Sequence, residues 1–360
     1  MGINSLYLHI PFCNNICFYC DFNKVFYNTK LADTYIDDLI NSINNDLNIY
    51  KTIYIGGGSP SSLNNIQLEK LLKCLQKNID KDCEFSFEVN PNDMDLNKIK
   101  LLKKYHVNRV SIGVQTFNEE LLKTLNRKHN NNDVYNLIKK LKEEGINNIS
   151  CDLMFGIPNQ NDNDIIDSIY ILNKLGIEHI STYALLIEDN TYFKIKKIDP
   201  LNDDVQASQY ELISNCLESL GFERYEISNF AKNQHYSSHN LTYWKGEEYN
   251  CYGAGASGYI NSTRFTYTRS INEYILNKKI IEKEILDSDD KEYEFIILNL
   301  RLKNGINLDL FKEKFNIDFK EKYKDITDKL IKNKMCEFDK NNFRVCKDKM
   351  FVINSILCLF

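Results

Sequence analysis

Short apolar runs alternate with longer helical segments through the first 190 residues, and this alternation constrains the fold more than any other feature. The runs are rich in β-branched and aromatic residues, which predicts strands at Leu6–Ile10, Thr52–Ile55, Glu84–Val89, Arg109–Gly113, Ile149–Met154 and His179–Leu185. The segments between them have helical period, which predicts helices at Leu31–Ile49, Ile66–Ile79, Leu96–Tyr105, Asp133–Glu144 and Asp164–Leu175. Strand starts recur roughly every 25–45 residues, the spacing of βαβ units. The fold class is therefore α/β, with six parallel strands in an open doubly wound sheet or a partial (β/α)6 barrel.

The pattern changes after Pro200. A helix is predicted over Asp203–Leu220, and a stretch rich in glycine and aromatic residues follows it, "HNLTYWKGEEYNCYGAGASGYI". From about residue 287 the chain turns to Lys/Glu helices that end in a predicted hairpin, Met335–Arg344, which is typical of a small winged-helix-like module. These helices carry charges of both signs, so packing or interaction is favoured over DNA binding. We expect three domains, 1–225, 226–285 and 286–360.

The composition excludes several classes of protein. A charged fraction of 26% with 22 Tyr and 20 Phe is too apolar for a disordered chain, and the net charge of −5 disfavours nucleic acid as a partner. Eleven scattered cysteines, an odd number, do not form a disulfide framework. No secretory signal is visible, and the apolar run Met350–Phe360 is too short to span a membrane. We therefore expect a cytoplasmic protein in a reducing compartment, without a transmembrane segment.

Three of the cysteines lie close together directly after the first predicted strand. In "IPFCNNICFYCDF", Cys13, Cys17 and Cys20 have C-x3-C-x2-C spacing. Three thiolates on one loop can ligate three irons of a [4Fe–4S] cluster and leave the fourth iron free to bind a cofactor or substrate. A zinc site with His9 or Asp21 as fourth ligand stays open, as does simple burial of the thiols. The spacing favours the cluster.

Functional residues of a (β/α) barrel gather at the carboxyl ends of its strands, and here those ends carry polar or glycine residues. The candidates are Tyr7, the run Gly56-Gly57-Gly58-Ser59-Pro60, Glu88, Gln115, Asp152 and Tyr183. Each has an ordinary structural explanation when taken alone, such as a turn or a solvated strand end. Together they predict one rim that holds a small zwitterionic, ribose-bearing ligand beside the cysteine loop.

With these residues in view, the chain resembles the radical S-adenosylmethionine (radical SAM) proteins of the coproporphyrinogen oxidase-like group. The resemblance covers nearly the whole chain and includes "LYLHIPFCNNICFYCDF", "IYIGGGSPSSL", "FEVNP", "RVSIGVQTFNEELLKTLNRKH", "DLMFGIPNQ" and "HNLTYW". It implies a partial radical SAM barrel in which Cys13, Cys17 and Cys20 ligate a [4Fe–4S] cluster. It further implies that SAM is bound by Tyr7, Tyr19, Gly57, Gly58, Ser59, Glu88, Gln115, Arg127, Asp152 and Tyr183. An electron from the reduced cluster can then split SAM, which requires an electron donor.

Two departures separate branches within this group. The oxygen-independent coproporphyrinogen III oxidases have a further cysteine two residues after the cluster motif, where this chain has Phe22, and a long segment before the first strand, where this chain has six residues before Tyr7. In both respects the chain resembles the HemW branch of heme chaperones. This resemblance implies that the chain binds heme or another tetrapyrrole and transfers it to client proteins. An oxidase of porphyrin biosynthesis is the alternative, so enzymatic activity stays undecided and no catalytic residue is assigned.

The resemblance also implies a heme site. In "HNxxYW", His239 is the suspected axial ligand of heme, with Tyr243 and Trp244 as flat partners for the macrocycle. The alternative is that these side chains only pack and hydrogen-bond within a rigid loop. His235 and Cys251 are weaker candidates, and a homodimer is left open. Six other cysteines are expected to be packed thiols: Cys74, Cys83, Cys216, Cys336, Cys346 and Cys358. Cys151 is expected on a core strand beside Asp152.

Overall fold

The computed structural model describes residues 3–360, so residues 1 and 2 of the expected first domain lie outside the described residues. The first part of the chain alternates strands and helices: β1 (Ser5–Ile10), β2 (Phe12–Cys13), β3 (Val25–Phe26), α1 (Thr29–Asn44), β4 (Tyr50–Gly57), α2 (Asn65–Leu75), β5 (Ile79–Val89), α3 (Leu96–Lys104), β6 (Arg109–Gln115), α4 (Glu119–Thr124), α5 (Asn131–Glu143), β7 (Asn148–Phe155), α6 (Asp162–Lys174), β8 (His179–Ala184), α7 (Tyr192–Ile195) and α8 (Asp203–Ser219).

The rest of the chain has shorter elements. The middle part contains β9 (Glu223–Arg224), β10 (Asn229–Ala231), α9 (Ser238–Trp244), β11 (Asn250–Tyr252), β12 (Ser257–Ile260), β13 (Thr263–Tyr267), α10 (Ile271–Asn277) and β14 (Ile280–Ile285). The last part contains α11 (Ser288–Asn299), β15 (Ile306–Asn307), α12 (Leu308–Phe315), α13 (Phe319–Lys322), α14 (Lys324–Lys332), β16 (Cys336–Asp339), β17 (Asn342–Val345) and α15 (Ile353–Leu357).

One nine-stranded sheet organises the molecule, in the order β11-β1-β4-β5-β6-β7-β8-β10-β9. The six strands from β1 to β8 are parallel neighbours, which confirms the predicted (β/α)6 unit. β11 adds a parallel strand at one edge, whereas β10 and β9 add antiparallel strands at the other. The sheet is open, with β11 and β9 as its edges. Residues 226–285 thus contribute a strand near each edge, and the division at residue 225 stays a prediction.

The two faces of the sheet have opposite chemistry. Outward side chains such as Ile53, Phe85 and Ile112 are fully buried in the apolar core that includes residues of α1, α2, α5 and α6. The inward positions of the same strands carry polar groups, among them Tyr54, Glu88 and Asp152, which face a cavity rather than a second apolar layer. This alternation places the predicted site residues Glu88, Asp152 and Tyr183 on the cavity side of the sheet.

The C-terminal part has its own aromatic core. Phe311 of α12 lies 5.9 Å from Phe295 of α11 and 5.1 Å from Phe319 of α13, measured between ring centroids. The predicted hairpin is present, because β16 pairs with β17 from Cys336 to Val345, and β15 completes a three-stranded sheet. Across the described chain, no helix is long and apolar enough to cross a membrane.

Several predicted boundaries need correction. The first predicted helix ends at Asn44 rather than Ile49, because Asn45 closes it and the Asp46 side chain turns the chain by accepting from Asn48 N (2.9 Å). Ile79 belongs to β5 and not to the second helix. The expectation of a packed thiol is wrong for Cys358, which is exposed just after the last helix. Cys74, Cys216 and Cys346 are only half-buried, whereas Cys83, Cys151 and Cys336 are buried.

Candidate functional site

The three predicted cluster ligands lie on one closed loop after β1. A backbone hydrogen bond from Val25 N to Pro11 O (2.7 Å) ties the ends of the loop together, and the short strands β2 and β3 pair beside it. Cys13 is buried, whereas Cys17 and Cys20 are half-buried. All three line a cavity of about 370 Å³ that opens inside the curve of the sheet.

Burial controls the protonation of two of these thiols. It raises the pKa of Cys13 to about 12, with the neighbouring Cys20 and Cys17 adding to the rise, and it also raises the pKa of Cys20. Cys13 and Cys20 are therefore protonated at neutral pH unless a cationic centre stabilises the thiolates, as a bound metal does. Metal binding at this loop is expected to release protons.

The arrangement of donors discriminates between the two metal hypotheses. Among residues 3–360, no three His, Cys, Asp or Glu side chains are close enough together to hold one ion. His9, a predicted fourth zinc ligand, has hydrogen bonds on both ring nitrogens, with the Tyr7 hydroxyl (3.0 Å) and the Asn23 carbonyl (2.8 Å). Asp21, the other candidate, is exposed. Three thiols spread around a loop fit the corners of a cluster better than the tight shell of a zinc ion.

Arg127 connects the cysteine loop to the sheet. Its Nη1 lies 3.5 Å from the sulfur of Cys17, and its Nη2 donates to the carbonyl of Gly113 in β6. The preceding residue adds a hydrogen bond from Asn126 Nδ2 to Ile16 O (2.8 Å). The connection between α4 and α5 therefore positions a guanidinium beside the sulfur of Cys17.

The glycine run at the end of β4 lets other groups approach the backbone closely. A Cβ atom on Gly56 would lie 2.8 Å from the Glu88 carboxyl group, and one on Gly57 would lie 2.6 Å from His9. Gly57 also has a φ of +116°, a conformation that favours glycine. These two glycines are therefore required for packing at the rim.

Glu88 is a buried carboxyl group with two hydrogen-bond donors. It accepts from the Tyr54 hydroxyl (2.7 Å) and from Gly57 N (3.1 Å). Burial nevertheless raises its pKa to about 7, and the nearby Asp152 adds to the rise. A carboxyl group with this pKa changes charge readily when a cationic or hydrogen-bonding ligand binds beside it.

The ends of β6 and β7 supply an amide and a second carboxyl group. Gln115 has a φ of +68° and follows an irregularity in the pairing of β6 with β7, and its buried Oε1 lacks a hydrogen-bond partner within the described chain. Asp152 accepts from Ser111 Oγ (3.2 Å), and burial raises its pKa to about 6. A residue with a strained backbone at the wall of a cavity is typical of a functional site.

Most of the predicted SAM residues share this cavity. Its wall includes Tyr19, Gly57, Gly58, Ser59, Glu88, Gln115, Arg127, Asp152 and Tyr183. Tyr183 is 43% exposed at the mouth, near Phe22, which is 64% exposed. Tyr7 lies behind Tyr54, with 6.2 Å between the ring centroids, and is not part of the wall.

The cavity continues from the cysteine loop to the opposite end of the strands. Its wall there includes Arg109, Ser150 and His179 from the sheet, together with Ser237 and Asn240 at the start of α9. The cysteine motif and the "HNxxYW" motif therefore lie at two ends of one internal space.

His239 itself is fully buried and makes hydrogen bonds through both ring nitrogens. Five hydrogen bonds of 2.8–3.3 Å form a line through Tyr243, His239, Thr52, Ser5, Thr242 and the carbonyl of Ser238. A carbonyl only accepts, so each hydroxyl donates toward it and His239 Nδ1 carries the proton. The lone pair of Nε2 then accepts from the Tyr243 hydroxyl, 2.8 Å away.

Further contacts hold this imidazole in place. The carboxylate of Glu84 accepts from the backbone N–H groups of Ser238 and His239 (3.0 Å each), and the ring stacks on Tyr54 with 5.1 Å between centroids. Burial lowers the pKa of His239 to about 3, so the ring stays neutral. A neutral imidazole can ligate iron, but in this structure its available lone pair is occupied by Tyr243.

The other predicted heme residues face different surroundings. Tyr243 lines a second cavity of about 410 Å³ between the β12–β14 sheet and α11, whereas Trp244 lies under Arg301, 5.9 Å from its guanidinium carbon. His235 pairs with Glu178 through a 2.8 Å contact, and Cys251 is fully buried in β11. The structure therefore does not bring His239, Tyr243 and Trp244 together around one open space.

Sequence reasoning missed the inward residues one step below the strand ends. Tyr54, Ser111 and Ser181 line the same cavity two positions before Gly56, Gly113 and Tyr183. Their signal was the period-2 alternation of each strand, which places residues i and i+2 on one face. The hydrogen bond from Asn90 Nδ2 to Ser59 Oγ (2.9 Å) had no such signal, because it depends on the conformation of the turn after β5.

Comparison with known proteins gives a consistent family. Residues 7–170 match the Radical SAM superfamily, and residues 286–347 match the HemN C-terminal domain. The chain is 37% identical to the heme chaperone HemW of Lactococcus lactis, over 98% of this chain and 95% of that protein. It is 39% identical to the heme chaperone HemW of Bacillus subtilis, over 87% of each.

The solved structures support the fold. Coproporphyrinogen III oxidase (HemN) from Escherichia coli, a radical SAM enzyme, superposes with a TM-score of 0.88 over 99% of this chain and 90% of that one. The two sequences are 21% identical, so this likeness concerns the fold alone.

Proposed function

The chain belongs to the radical SAM superfamily and, within its coproporphyrinogen oxidase-like family, to the HemW branch, and from this premise we propose that it is a heme chaperone that also binds a [4Fe–4S] cluster and SAM. A relative that matches nearly the full length of this chain is named as a heme chaperone. We further propose that it delivers heme to client proteins.

The cysteine loop would hold the cluster through Cys13, Cys17 and Cys20. Three thiols on a closed loop, with the guanidinium of Arg127 beside one of them, support this assignment. The loop has no fourth cysteine two residues later, because that position is Phe22, so one iron would have no cysteine ligand from this loop and stay accessible from the cavity.

SAM would occupy the rim of the same cavity. The carboxyl groups of Glu88 and Asp152 would offer charge and acceptors to a zwitterionic, ribose-bearing molecule, and Gly57, Gly58 and Gln115 would lie against it in the cavity wall. Tyr19, Ser59, Arg127 and Tyr183 complete the proposed contacts. When bound and reduced, the cluster supplies an electron for SAM chemistry, which would require a separate electron donor. The protein's part is to position SAM and exclude water.

Heme would bind on the α9 side of the molecule, with His239 Nε2 as its axial ligand and with Tyr243 and Trp244 beside the macrocycle. In the structure described above, the Tyr243 hydroxyl occupies that nitrogen, so heme binding would first require the Tyr243–His239 hydrogen bond to open. We call this Tyr243–His239 hydrogen bond the latch on the proposed heme ligand.

The observation that carries the proposal is the convergence of three thiols and the rim residues on one cavity in a chain whose relatives are heme chaperones. The test is an anaerobic heme titration of the cluster-loaded protein. We expect a Soret shift that His239→Ala abolishes and that the control His235→Ala retains. An unchanged heme spectrum with wild-type protein would exclude heme chaperoning, and conversion of coproporphyrinogen III to protoporphyrinogen by the loaded protein would establish the oxidase alternative instead.

A further inference from the structure

A buried arginine without a counter-ion lies at the end of the cavity away from the cysteine loop. Arg109 is 2% exposed, and within the described chain its side chain makes one hydrogen bond, from Nη1 to Asn148 Oδ1 (2.8 Å). The arginine ion pairs of residues 3–360 involve Arg264 and Arg344 instead. A guanidinium has five donors and is costly to bury without an anion, so the free donors of Arg109 need an explanation.

The carboxyl groups nearest to Arg109 are engaged with other partners. Asp152 accepts from Ser111, and Glu88 accepts from Tyr54 and Gly57. On the neighbouring elements, Glu84 accepts from the backbone at the start of α9. Glu226 likewise accepts from Ser228 N (3.0 Å). None of these carboxylates forms an ion pair with Arg109 within the described chain.

Arg109 acts on the carboxyl group of Asp152 at a distance, opposing the rise that burial causes in its pKa. The other groups around Arg109 are polar and carry no charge. Ser150 Oγ lies 2.7 Å from His179 Nδ1, and burial lowers the pKa of His179 well below its usual value, so this imidazole stays neutral. Asn240 of α9 lines the cavity, and its side-chain amide has no hydrogen-bond partner among the described residues. Ser86, which pairs in register with Arg109, has a buried hydroxyl without a partner. The surroundings therefore match an oxygen-rich ligand with one negative charge.

We propose that this end of the cavity binds the carboxylate of a small organic molecule, with Arg109 as the bidentate donor and the Asn240 amide as a second contact. The planar fork of a guanidinium matches a carboxylate. The site is separate from the proposed SAM rim, because Arg109 lies four residues before Gly113 along β6, roughly 13 Å in an extended strand. The chain would thus handle a second small molecule besides SAM.

The test uses saturation-transfer NMR on cluster-loaded protein with saturating SAM, so that the SAM pocket is already occupied. Acetate, propionate and succinate are the probes. We expect at least one of them to bind wild-type protein, with a dissociation constant that Arg109→Gln raises at least tenfold. Arg109→Lys keeps the positive charge and loses the bidentate geometry of the guanidinium. Its dissociation constant should therefore lie between those of wild type and Arg109→Gln.

Two controls keep the test decisive. Arg264→Gln removes a surface arginine that pairs with Glu294 beside the other cavity, and it should bind the probes as wild type does. Asn240→Ala is the second variant, to be used if Arg109→Gln fails to fold, and should weaken binding several-fold. The proposal is overturned if none of the three probes binds SAM-loaded wild-type protein, or if both Arg109→Gln and Asn240→Ala, where folded, bind them as wild type does.

Discussion

The rim of the central cavity and the heme-ligand candidate His239 present their groups in opposite ways. At the rim, Glu88, Arg127 and Asp152 already line the cavity, so a ligand can reach them without rearrangement. His239 of α9, by contrast, has both ring nitrogens hydrogen-bonded and is fully buried. The rim is preformed, whereas His239 is latched, because the Tyr243 hydroxyl occupies its lone pair. The comparison teaches that a residue recognised as a ligand from its motif can be held in a form that does not yet present it.

The largest effect expected at the preformed rim is loss of the cluster in Cys17→Ala. Removing one of three thiol ligands leaves two, which cannot hold a cubane, so iron and sulfide content should fall to near zero. Cys74→Ala, which removes a half-buried thiol of α2, is the matched control and should keep full content. Full iron and sulfide in Cys17→Ala would show that the ligands lie elsewhere.

A second prediction concerns the rigidity of the rim. Gly57→Ala combines a left-handed backbone with a Cβ 2.6 Å from His9, so we expect it to lower the free energy of unfolding by about 3 kcal/mol. Gly221→Ala shares a positive φ but meets no atom within 4 Å, so about 1 kcal/mol is expected. Urea denaturation measures both. Equal losses would mean that the rim yields easily and is not preformed.

The pH dependence of stability tests the buried carboxyl at the rim. Burial raises the pKa of Glu88 from 4.5 to about 7. Between these values the folded state binds a proton that the unfolded state has lost, so stability falls as pH rises from 4.5 through 7. In Glu88→Gln, the fall in the free energy of unfolding across this pH window should be smaller, by up to about 3 kcal/mol. Identical slopes in urea denaturation from pH 4.5 to 8 would contradict the assignment.

The sequence predicted the part of the molecule that local pattern determines. The six parallel strands follow from periodicity, and the rim residues follow from the rule that strand ends of a parallel sheet meet on one side. The strands β10 and β11, near the two edges of the sheet, are three residues each, too short for a periodic signal. The pattern places Ile79 in a helix because a half-buried apolar residue at the end of a helical segment fits either period.

The latch on His239 could not be read from the sequence. Thr52 lies 187 positions away from His239, so their hydrogen bond depends on how α9 docks against β4. The unpaired state of Arg109 is equally non-local, since it depends on which carboxylates of other strands are already engaged. Long-range pairing of polar groups has no local signature, whereas strand alternation does.

The measurement that tests the account most directly compares heme affinity in wild type, Tyr243→Phe and His239→Ala. Phe keeps the ring and removes only the hydroxyl that occupies Nε2. Heme binding then no longer has to break this hydrogen bond, which lowers its free-energy cost by about 1 kcal/mol. We therefore expect roughly fivefold tighter heme binding by Soret titration. His239→Ala should abolish the Soret shift. Weaker heme binding by Tyr243→Phe, or wild-type binding by His239→Ala, would contradict the claim that His239 is the latched heme ligand.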